Sequence, residues 1–315
     1  MARVYVTRKL PGAALDRLAA EHEVTVWPER LPPPRPELLA RAAESEAVLA
    51  LLSDQLDAEL IANAESLKAI SNYAVGVDNV DLDAATERGI PVGNTPGVLT
   101  ETTADLALAL MLGISRRLLD GDGAVRRGEW LTWEPGRMLG RDLHDATVGI
   151  VGFGRIGRAV AKRVEAFGCR VLHTSRSGGV PLPELLESSD FVSLHCPLTE
   201  ETRGLIGEEA LHQMKPTAYL INSARGPIVD TMALVRALHG GQIAGAALDV
   251  TDPEPLPAGH VLAGAPNALI LPHLGSATVA TREAMADMAV DNLLAALGGE
   301  RMPWCANPQV YDRVP

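Results

Sequence analysis

The chain has 315 residues, of which 47% are hydrophobic and 3% aromatic, and its formal net charge is −12. This length allows two domains of ordinary size with cores built mainly from small and branched apolar residues. The acidic balance argues against a nucleic-acid partner, which would require a basic face. The N-terminus lacks the apolar run of a secretion signal, and the longest apolar run, near Leu106–Ile114, is about half a membrane span. We therefore expect a cytoplasmic protein with no membrane partner.

The three cysteines, Cys169, Cys196 and Cys305, show no C-x-x-C spacing. The lack of such spacing argues against a disulfide scaffold and against a cysteine-based metal site. Reduced thiols are typical of a cytosolic protein. We expect no metal.

The first part of the chain alternates between short apolar runs and segments of helical periodicity. Strands are predicted at Arg3–Thr7, Val24–Trp27, Ala47–Leu52, Leu67–Tyr73 and Ile90–Val92. Helices are predicted at Pro11–His22, Glu37–Ser45, Ala58–Ala64 and Leu82–Arg88. The alternation indicates a parallel α/β unit, and Pro96-Gly97 is its first plausible boundary.

The middle of the chain predicts one long helix from Glu101 to Leu119. A polar, glycine-rich passage follows from Asp120 to Asp145 and carries Trp130 and Trp133. Two tryptophans in such a passage indicate either a local plug or an element of an interface or active site.

A second α/β run begins at Thr147. Its strands are predicted at Thr147–Val151, Arg170–Thr174, Phe191–Leu194, Ala218–Asn222, Gly245–Asp249 and Ala268–Leu271. This pattern predicts a second doubly wound sheet. A final helix, Ala280–Leu297, has room to pack back on the first domain.

The stretch Thr147–Gly157, TVGIVGFGRIG, combines a buried strand with the glycine pattern G-x-G-x-x-G and the opening of a helix, predicted to run from Arg158 to Phe167. Gly152 permits the tight turn, Gly154 lets a pyrophosphate approach the backbone, and Gly157 lets the helix pack on the strand. Free N–H groups at the helix N-terminus favour phosphate. The stretch therefore predicts a dinucleotide site, with an ordinary glycine turn as the alternative.

Three chemically distinct side chains follow three neighbouring strands of this second run. Arg225 follows Ala218–Asn222, Glu254 follows Gly245–Asp249, and His273 follows Ala268–Leu271. Ligands bind outside the carboxyl ends of such strands, so we expect these side chains at one edge. Singly, each suits a surface or structural role. Together they suit reduction of a 2-oxo acid, because arginine can hold a carboxylate, histidine can donate a proton, and glutamate can favour the imidazolium.

The cofactor is indicated by the residues at the end of the strand Arg170–Thr174. The sequence there reads Ser175-Arg176-Ser177, with no acidic residue to bond a ribose 2′-hydroxyl. Arg176 flanked by hydroxyls could receive a 2′-phosphate, so NADP(H) is the preferred cofactor. NAD(H), with the arginine stacked on adenine, stays open. The segment Ser177–Pro181 is predicted to lead almost directly into a helix near Glu184.

The chain resembles the D-isomer-specific 2-hydroxyacid dehydrogenases over nearly its full length, most specifically in GIVGFGRIG, INSARGPIVD, AALDVTDPEP and LPHLGSAT. It is most similar to the glyoxylate/hydroxypyruvate reductases, on the stretches Leu51–Asp54, Ser71–Asn79, the segment GEWLTWEP and Asn292–Pro303. The resemblance implies two doubly wound parallel-sheet domains, with a Rossmann cofactor domain, residues 98–275, inserted in a flavodoxin-like substrate domain, residues 1–97 plus 276–315. It also implies a homodimer.

The resemblance implies roles for individual residues. Arg225, Glu254 and His273 match the family's catalytic residues. Substrate contacts fall on Ser53, on the backbone amides of Val75-Gly76, and on Trp133, which would enter the active site of the other subunit. With the glycine pattern and the Ser-Arg-Ser segment included, the cofactor-binding positions are Thr103, Gly152, Gly154, Arg155, Ile156, Gly157, Ser175, Arg176, Ser177, Pro197, Thr202, Ala224, Asp249 and Gly275.

These features predict reduction of glyoxylate to glycolate or of hydroxypyruvate to D-glycerate by NADPH. One alternative is another D-2-hydroxyacid dehydrogenase, of the 2-ketogluconate or phosphoglycerate type. A second alternative, from another class, is a nucleotide-sensing binding protein related to transcriptional corepressors.

Overall fold

The computed structural model describes residues 1–313 and divides the chain into two compact units. Unit 1 comprises Met1–Leu99 with Ala277–Pro315, and unit 2 comprises Thr100–Ser276. The predicted boundaries at 97/98 and 275/276 lie within two residues of these divisions. Each unit is built on its own sheet.

The strands, in chain order, are β1 Arg3–Val6, β2 Glu23–Val26, β3 Ala47–Ala50, β4 Ala69–Asn72, β5 Val92–Gly93, β6 Thr147–Val151, β7 Arg170–Ser175, β8 Gly178–Gly179, β9 Phe191–Leu194, β10 Tyr219–Asn222, β11 Gly245–Leu248 and β12 Ala268–Ile270. The helices are α1 Ala14–Glu21, α2 Arg35–Glu44, α3 Ala58–Asn63, α4 Leu82–Glu87, α5 Thr100–Ser115, α6 Leu118–Arg126, α7 Arg155–Ala166, α8 Leu182–Ser188, α9 Glu208–Gln213, α10 Thr231–His239 and α11 Val279–Leu297. Short 3₁₀ turns occupy Gly226–Ile228, Val261–Gly264 and Pro308–Arg313.

The sheet of unit 1 has the strand order β2-β1-β3-β4-β5, and every pair is parallel. Alternate residues of each strand enter different cores, as the two-residue period of a strand requires. Val4 and Leu49 pack with α1 and α11, whereas Tyr5 and Val48 pack with α2 and α3 on the other face. Helix α11 therefore packs on the first domain, as predicted, although the chain reaches it only after unit 2.

The sheet of unit 2 has the strand order β12-β11-β10-β9-β6-β7-β8. All of its pairs are parallel except β7 with β8. One face is covered by α5 and α7 and the other by α8, α9 and α10. The order of the strands reverses between β6 and β9, and that switch point is where a doubly wound sheet binds its ligand. The predicted fold class, two parallel α/β domains with a Rossmann-type cofactor domain, is confirmed.

The prediction of one helix from Glu101 to Leu119 is wrong. Helix α5 ends at Ser115, and α6 occupies the start of the passage that was predicted to be irregular. Arg117 has the left-handed φ of 52°, which interrupts the helix. The Ser115 carbonyl accepts a hydrogen bond from the Arg141 amide at 2.9 Å, so a distant segment takes over a group that a continuing helix would use.

Three further boundaries differ from the prediction. Residues 178–179 form β8, which pairs antiparallel with Thr174 and Ser175 and makes a two-residue hairpin turn of Arg176-Ser177. Helix α7 begins at Arg155, three residues before the predicted start. The last strand of unit 1 is Val92–Gly93 rather than Ile90–Val92. Within residues 1–313, no helix is long and apolar enough to cross a membrane.

Candidate active site

The glycine turn after β6 is shaped by close backbone contacts. Gly152 has φ of +94°, and a Cβ on it would lie 2.4 Å from the Cys196 amide nitrogen. A Cβ on Gly157 would lie 2.2 Å from the Gly152 carbonyl oxygen. Gly154 differs, because its Cβ would meet nothing within 4 Å. The first and third glycines are therefore required by the fold, while the second faces open space in which a pyrophosphate could approach the backbone.

Helix α7 starts directly at this turn, with Gly154 as its N-cap residue. The amides of Arg155, Ile156 and Gly157 thus belong to the first turn, where N–H groups have no partner within the helix. The turn is fixed from the side by Phe153, whose ring stacks on that of His173 in β7 with centroids 3.9 Å apart. The N–H groups at the N-terminus of this twelve-residue helix are therefore suited to bind an anion.

The segment Ser175-Arg176-Ser177 lies at the tip of the β7–β8 hairpin. Ser175 Oγ donates to the Gly178 carbonyl at 3.0 Å and lies 3.1 Å from Ser177 Oγ. The side chain of Arg176 is exposed at this tip. The pKa of Glu201 is lowered, first by a hydrogen bond from Thr199 and in smaller part by the charge of Arg176. The positive field of Arg176 therefore extends towards the loop after β9.

That loop contains two of the predicted cofactor contacts. Thr202 Oγ1 donates to the Pro197 carbonyl at 2.7 Å and accepts from the Thr199 amide at 2.8 Å. On the opposite side of the switch point, Thr103 Oγ1 donates to the Gly275 carbonyl at 3.1 Å. Both loops are thus held by side-chain hydrogen bonds at the carboxyl edge of the sheet.

Arg225 follows β10 on a segment braced by Asn222. The Asn222 side chain accepts from the Ala224 amide at 3.0 Å and donates to the Arg225 carbonyl at 2.9 Å. The guanidinium of Arg225 is half-buried and donates to the Ala224 carbonyl at 2.9 Å. This bracing fixes where the arginine leaves the backbone.

His273 is held by Asp249, the residue that follows β11. Its amide donates to the Asp249 carbonyl at 2.8 Å. The Asp249 carboxylate accepts from the Leu274 amide at 2.6 Å and from the Gly275 amide at 2.8 Å. Burial raises the pKa of Asp249, and these amides oppose that rise. The three hydrogen bonds hold His273 in a left-handed conformation, with φ of 55°. Both oxygens of Asp249 are therefore occupied within the protein.

Glu254 and His273 form a short side-chain hydrogen bond at this edge. His273 Nδ1 lies 2.6 Å from Glu254 Oε1, and the two side chains are 26% and 31% exposed. The other oxygen, Oε2, accepts from the Thr251 amide at 3.3 Å. Because a carboxylate can only accept, Nδ1 carries the proton of this bond, and Nε2 is the ring nitrogen that Glu254 does not bind. The arrangement suits proton donation from Nε2.

A second histidine near the glycine turn is unsuited to this work. His195 follows β9, and its Nε2 lies 2.8 Å from Ser193 Oγ. Burial lowers the pKa of His195 to about 4, so its ring is uncharged at neutral pH. Among the described residues of this edge, His273 is the better proton donor.

The predicted substrate contacts of unit 1 lie at the carboxyl edge of its own sheet. Ser53 is exposed in the turn after β3, and Val75 and Gly76 are half-buried after β4. The Val75 carbonyl accepts from Asn94 Nδ2 at 2.8 Å. The two amides of Val75-Gly76 thus stand on a loop that is tied back to the strand edge.

Trp130 and Trp133 do not fill a local core, so the plug interpretation is wrong. Their side chains are 65% and 78% exposed. They line an open cavity of about 360 Å³ beside α6, and Leu131 next to them is 88% exposed. Contiguous exposed apolar side chains of this kind mark interaction surfaces.

Sequence reasoning missed the residues that hold the predicted ones in place. These are Asn222, Thr251 and, as an acceptor of two amides, Asp249. Only Asn222 carried a local signal, since an asparagine ending an apolar strand is a common bracing residue for a turn. Within residues 1–313, no group of three potential ligands could hold a metal ion.

Comparison with known proteins places this geometry in a family. The protein-family model described as "D-isomer specific 2-hydroxyacid dehydrogenase, NAD binding domain" matches residues 108–275 of this chain. A glyoxylate reductase of Korarchaeum cryptofilum (strain OPF8) is 46% identical over 320 residues, which cover 98% of this chain and 96% of the relative.

Solved structures agree with this assignment. The crystal structure of a protein from Thermus thermophilus is 52% identical, with a TM-score of 0.92, and covers 96% of this chain and 99% of that one. An NADPH-dependent glyoxylate/hydroxypyruvate reductase of Sinorhizobium meliloti, solved with NADP and malonate, is 34% identical with a TM-score of 0.85 and covers 97% of each chain.

The doubly wound fold of unit 2 and its glycine turn define a nicotinamide-dependent oxidoreductase. The chain belongs to the D-isomer specific 2-hydroxyacid dehydrogenase family. The resemblance stated from the sequence is thereby confirmed.

Proposed function

We propose that the protein reduces glyoxylate to glycolate and hydroxypyruvate to D-glycerate, with NADPH as the preferred cofactor. The observation that carries the proposal is the 2.6 Å pair of His273 Nδ1 and Glu254 Oε1 at the carboxyl edge of a dinucleotide-binding sheet. The name of the Korarchaeum relative, glyoxylate reductase, supports the same substrate class.

Each catalytic side chain has one task in this proposal. Arg225 binds the carboxylate of the 2-oxo acid through charge-assisted hydrogen bonds. His273 donates the proton from Nε2 to the carbonyl oxygen, while Glu254 stabilises the charged ring and fixes its orientation. In unit 1, the proposed substrate contacts are the backbone amides of Val75-Gly76 and the side chain of Ser53. Reduction adds a hydride, which is a proton with two electrons, to C2 and a proton from His273 to the carbonyl oxygen.

The residues at the switch point fit a nicotinamide dinucleotide. Gly154 leaves open space at the N-terminus of α7, where the amides of Arg155, Ile156 and Gly157 would bind the pyrophosphate. When bound, the cofactor supplies the hydride that reduces C2. Thr103, Pro197, Thr202, Ala224 and Gly275 would contact its remaining parts. Asp249 would act indirectly, because its carboxylate holds the amides of Leu274 and Gly275 in place.

We propose NADPH rather than NADH because of the residues at the tip of the β7–β8 hairpin. Arg176 is exposed between two serines, and the turn contains no carboxylate that would repel a 2′-phosphate. The S. meliloti structure with NADP is a precedent within the family.

Arg176→Asp should shift the cofactor preference towards NADH. The change replaces a 2′-phosphate partner with a like charge, and we expect the ratio of kcat/KM for NADPH over NADH to fall by about 10²-fold or more. Steady-state kinetics with both cofactors measure this ratio. Arg203→Ala, an exposed arginine on the neighbouring loop, is the matched control. An unchanged ratio in R176D would refute the NADPH assignment.

The function itself is tested by a steady-state panel of glyoxylate, hydroxypyruvate, pyruvate and 2-ketogluconate, each with NADH and with NADPH. We expect the highest kcat/KM with the first two substrates and NADPH. A preference for 2-ketogluconate would assign the chain to another branch of the family. Tight NADPH binding without turnover of any of the four would favour the nucleotide-sensing alternative.

We further propose that the protein works as a cytoplasmic homodimer in which Trp133 enters the partner's active site. The exposed Trp130, Leu131 and Trp133 support this interface. The three free cysteines support a reducing compartment.

Trp133→Ala should raise KM for hydroxypyruvate by about tenfold while the dimer persists, because an aromatic wall of the substrate site is lost. Light scattering should give twice the chain mass of 33.4 kDa for the wild type and the variant. Trp130→Ala is the control and should leave KM close to the wild-type value. A monomeric wild type with full activity would contradict the proposal.

A further inference from the structure

The two loops proposed to hold the substrate are joined by a pair of asparagine side chains. Asn72 ends β4, and Asn79 lies seven residues later. Asn72 Nδ2 donates to Asn79 Oδ1 at 3.0 Å, and Asn79 Nδ2 lies 3.3 Å from Asn72 Oδ1. The hydrogen bond from Asn72 Nδ2 to Asn79 Oδ1 thus joins the two amides at the carboxyl edge of the sheet.

Each asparagine also holds one of the two loops. Asn72 Nδ2 donates to the Gly76 carbonyl at 2.9 Å, on the loop whose amides would bind the substrate carboxylate. Asn79 Nδ2 donates to the carbonyls of Leu51 and Asp54 at 3.1 and 2.9 Å, on either side of Ser53. The Asn79 carbonyl accepts from the Leu56 amide at 2.9 Å, which ties its backbone to the same segment.

The Ser53 loop is anchored at its other end as well. Asp54 is 2% exposed, and its Oδ2 accepts from Thr7 Oγ1 at 2.5 Å and from the Leu51 amide at 2.8 Å. Thr7 directly follows β1, so this bond crosses from β1 to β3. The strand order β2-β1-β3 reverses direction at that point, which is the ligand-binding switch point of such a sheet.

We propose that Asn79 is a positioning residue for the substrate. Through Asn72 and the carbonyls of Leu51, Asp54 and Gly76, it fixes the distance between Ser53 and the amides of Val75-Gly76 before the substrate binds. This inference rests on the proposed function. It adds a cause of size selectivity: one rigid frame would hold both the carboxylate and the C3 hydroxymethyl group of hydroxypyruvate, and its spacing would disfavour longer acids.

A frame of this kind should act on binding more than on turnover. The hydride and proton transfers depend on groups of unit 2, whereas Asn79 only orders groups that bind the substrate equally in its ground and transition states. Loss of such uniform binding raises KM with little change in kcat. Without the frame, part of the binding free energy of the substrate would be used to order the two loops, and binding would be weaker.

Asn79→Ala in the full-length protein saturated with NADPH is the test. We expect KM for glyoxylate and hydroxypyruvate to rise about 10- to 100-fold, since small misplacements of binding groups have effects of this size. We expect kcat to change less than about threefold and the Kd of oxamate, an unreactive 2-oxo acid analogue, to rise in parallel with KM. The Kd of NADPH should stay within about twofold, because unit 2 is unaltered. The ratio of kcat/KM for hydroxypyruvate over kcat/KM for 2-ketogluconate should fall.

Asn307→Ala is the matched control. Asn307 is a buried asparagine of unit 1. Its side chain donates to the Ile90 carbonyl and to Thr86 Oγ1, and accepts from the Val92 amide at the start of β5. Its loss should destabilise unit 1 without changing KM. If N79A folds poorly, Asn79→Asp is the second variant. Its carboxylate can still accept from Asn72, but it cannot donate to the Leu51 and Asp54 carbonyls. The same rise in KM is expected.

The outcomes separate the two proposals. A wild-type protein that reduces no 2-oxo acid overturns the proposed function; in that case faster amide hydrogen exchange of residues 51–54 and 75–76 in N79A than in N307A still supports the frame, and equal exchange overturns it. With an active wild type, equal KM and oxamate Kd in N79A, N79D and N307A overturn the role of Asn79.

Discussion

Replacing His273 with alanine is expected to lower kcat for 2-oxo acid reduction by about 10²- to 10⁴-fold, the range that general acid catalysis contributes. The physical reason is the geometry of the pair: Nδ1 is committed to Glu254 at 2.6 Å, so Nε2 is the atom that can give up a proton. With the imidazole removed, the carbonyl oxygen would develop negative charge without a nearby donor. Stopped-flow or steady-state oxidation of NADPH measures the loss.

Two comparisons make this result specific. The Kd of NADPH, measured by the fluorescence of the bound cofactor, should stay within about threefold of the wild type, since the proposed phosphate site is the glycine turn and not His273. His212→Ala is the matched control, because His212 lies on the surface of α9 and bonds only the Glu208 carbonyl among the described contacts of its ring. Unchanged turnover in H273A would remove His273 from the mechanism.

Replacing Arg225 with alanine should chiefly weaken use of the 2-oxo acid. Truncating one partner of a buried, hydrogen-bonded charge pair costs about 2–4 kcal/mol of binding free energy. We therefore expect kcat/KM to fall about 30- to 1,000-fold. Most of this loss should fall on KM, because the guanidinium holds a carboxylate that is charged throughout the reaction. Initial rates over a range of glyoxylate and hydroxypyruvate concentrations separate the two constants.

Arg225→Lys distinguishes charge from geometry. Lysine keeps the charge but lacks the planar fork, so it should restore only part of the affinity. Arg236→Ala serves as the control, because Arg236 pairs with Glu208 on the exposed surface of α10. Equal kinetics in R225A and R236A would show that the substrate carboxylate is bound elsewhere.

Much of this fold could be predicted because its signals are local. The strands of unit 2 are short apolar runs, and the glycine pattern fixes a turn whose cramped contacts at Gly152 and Gly157 exclude other residues. The order of Arg225, Glu254 and His273 after successive strands then placed them at one edge. No long-range information was needed for these steps, because parallel strands deliver their carboxyl ends to the same side.

The errors and omissions share a different cause, which is contact between residues distant in sequence. Helix α5 stops at Ser115 because Arg141, 26 residues later, bonds its carbonyl. The roles of Asp249 and Asn79 depend on amides and carbonyls that only the folded chain brings near. Polar residues that brace a backbone leave no periodic pattern, so sequence reasoning finds the side chain that acts and misses the one that holds it.

The route of the chain through its two units also sets an order of events on the ribosome. Residues 100–276 contain every strand of their sheet in one continuous run. The core of unit 1, by contrast, needs Met285, Ala289 and Leu293 of α11 to cover Val4 and Leu49. Domains fold as units as they emerge during synthesis. The nucleotide-binding unit can therefore fold first, while one face of the sheet made by the first 99 residues stays uncovered until α11 has been synthesised.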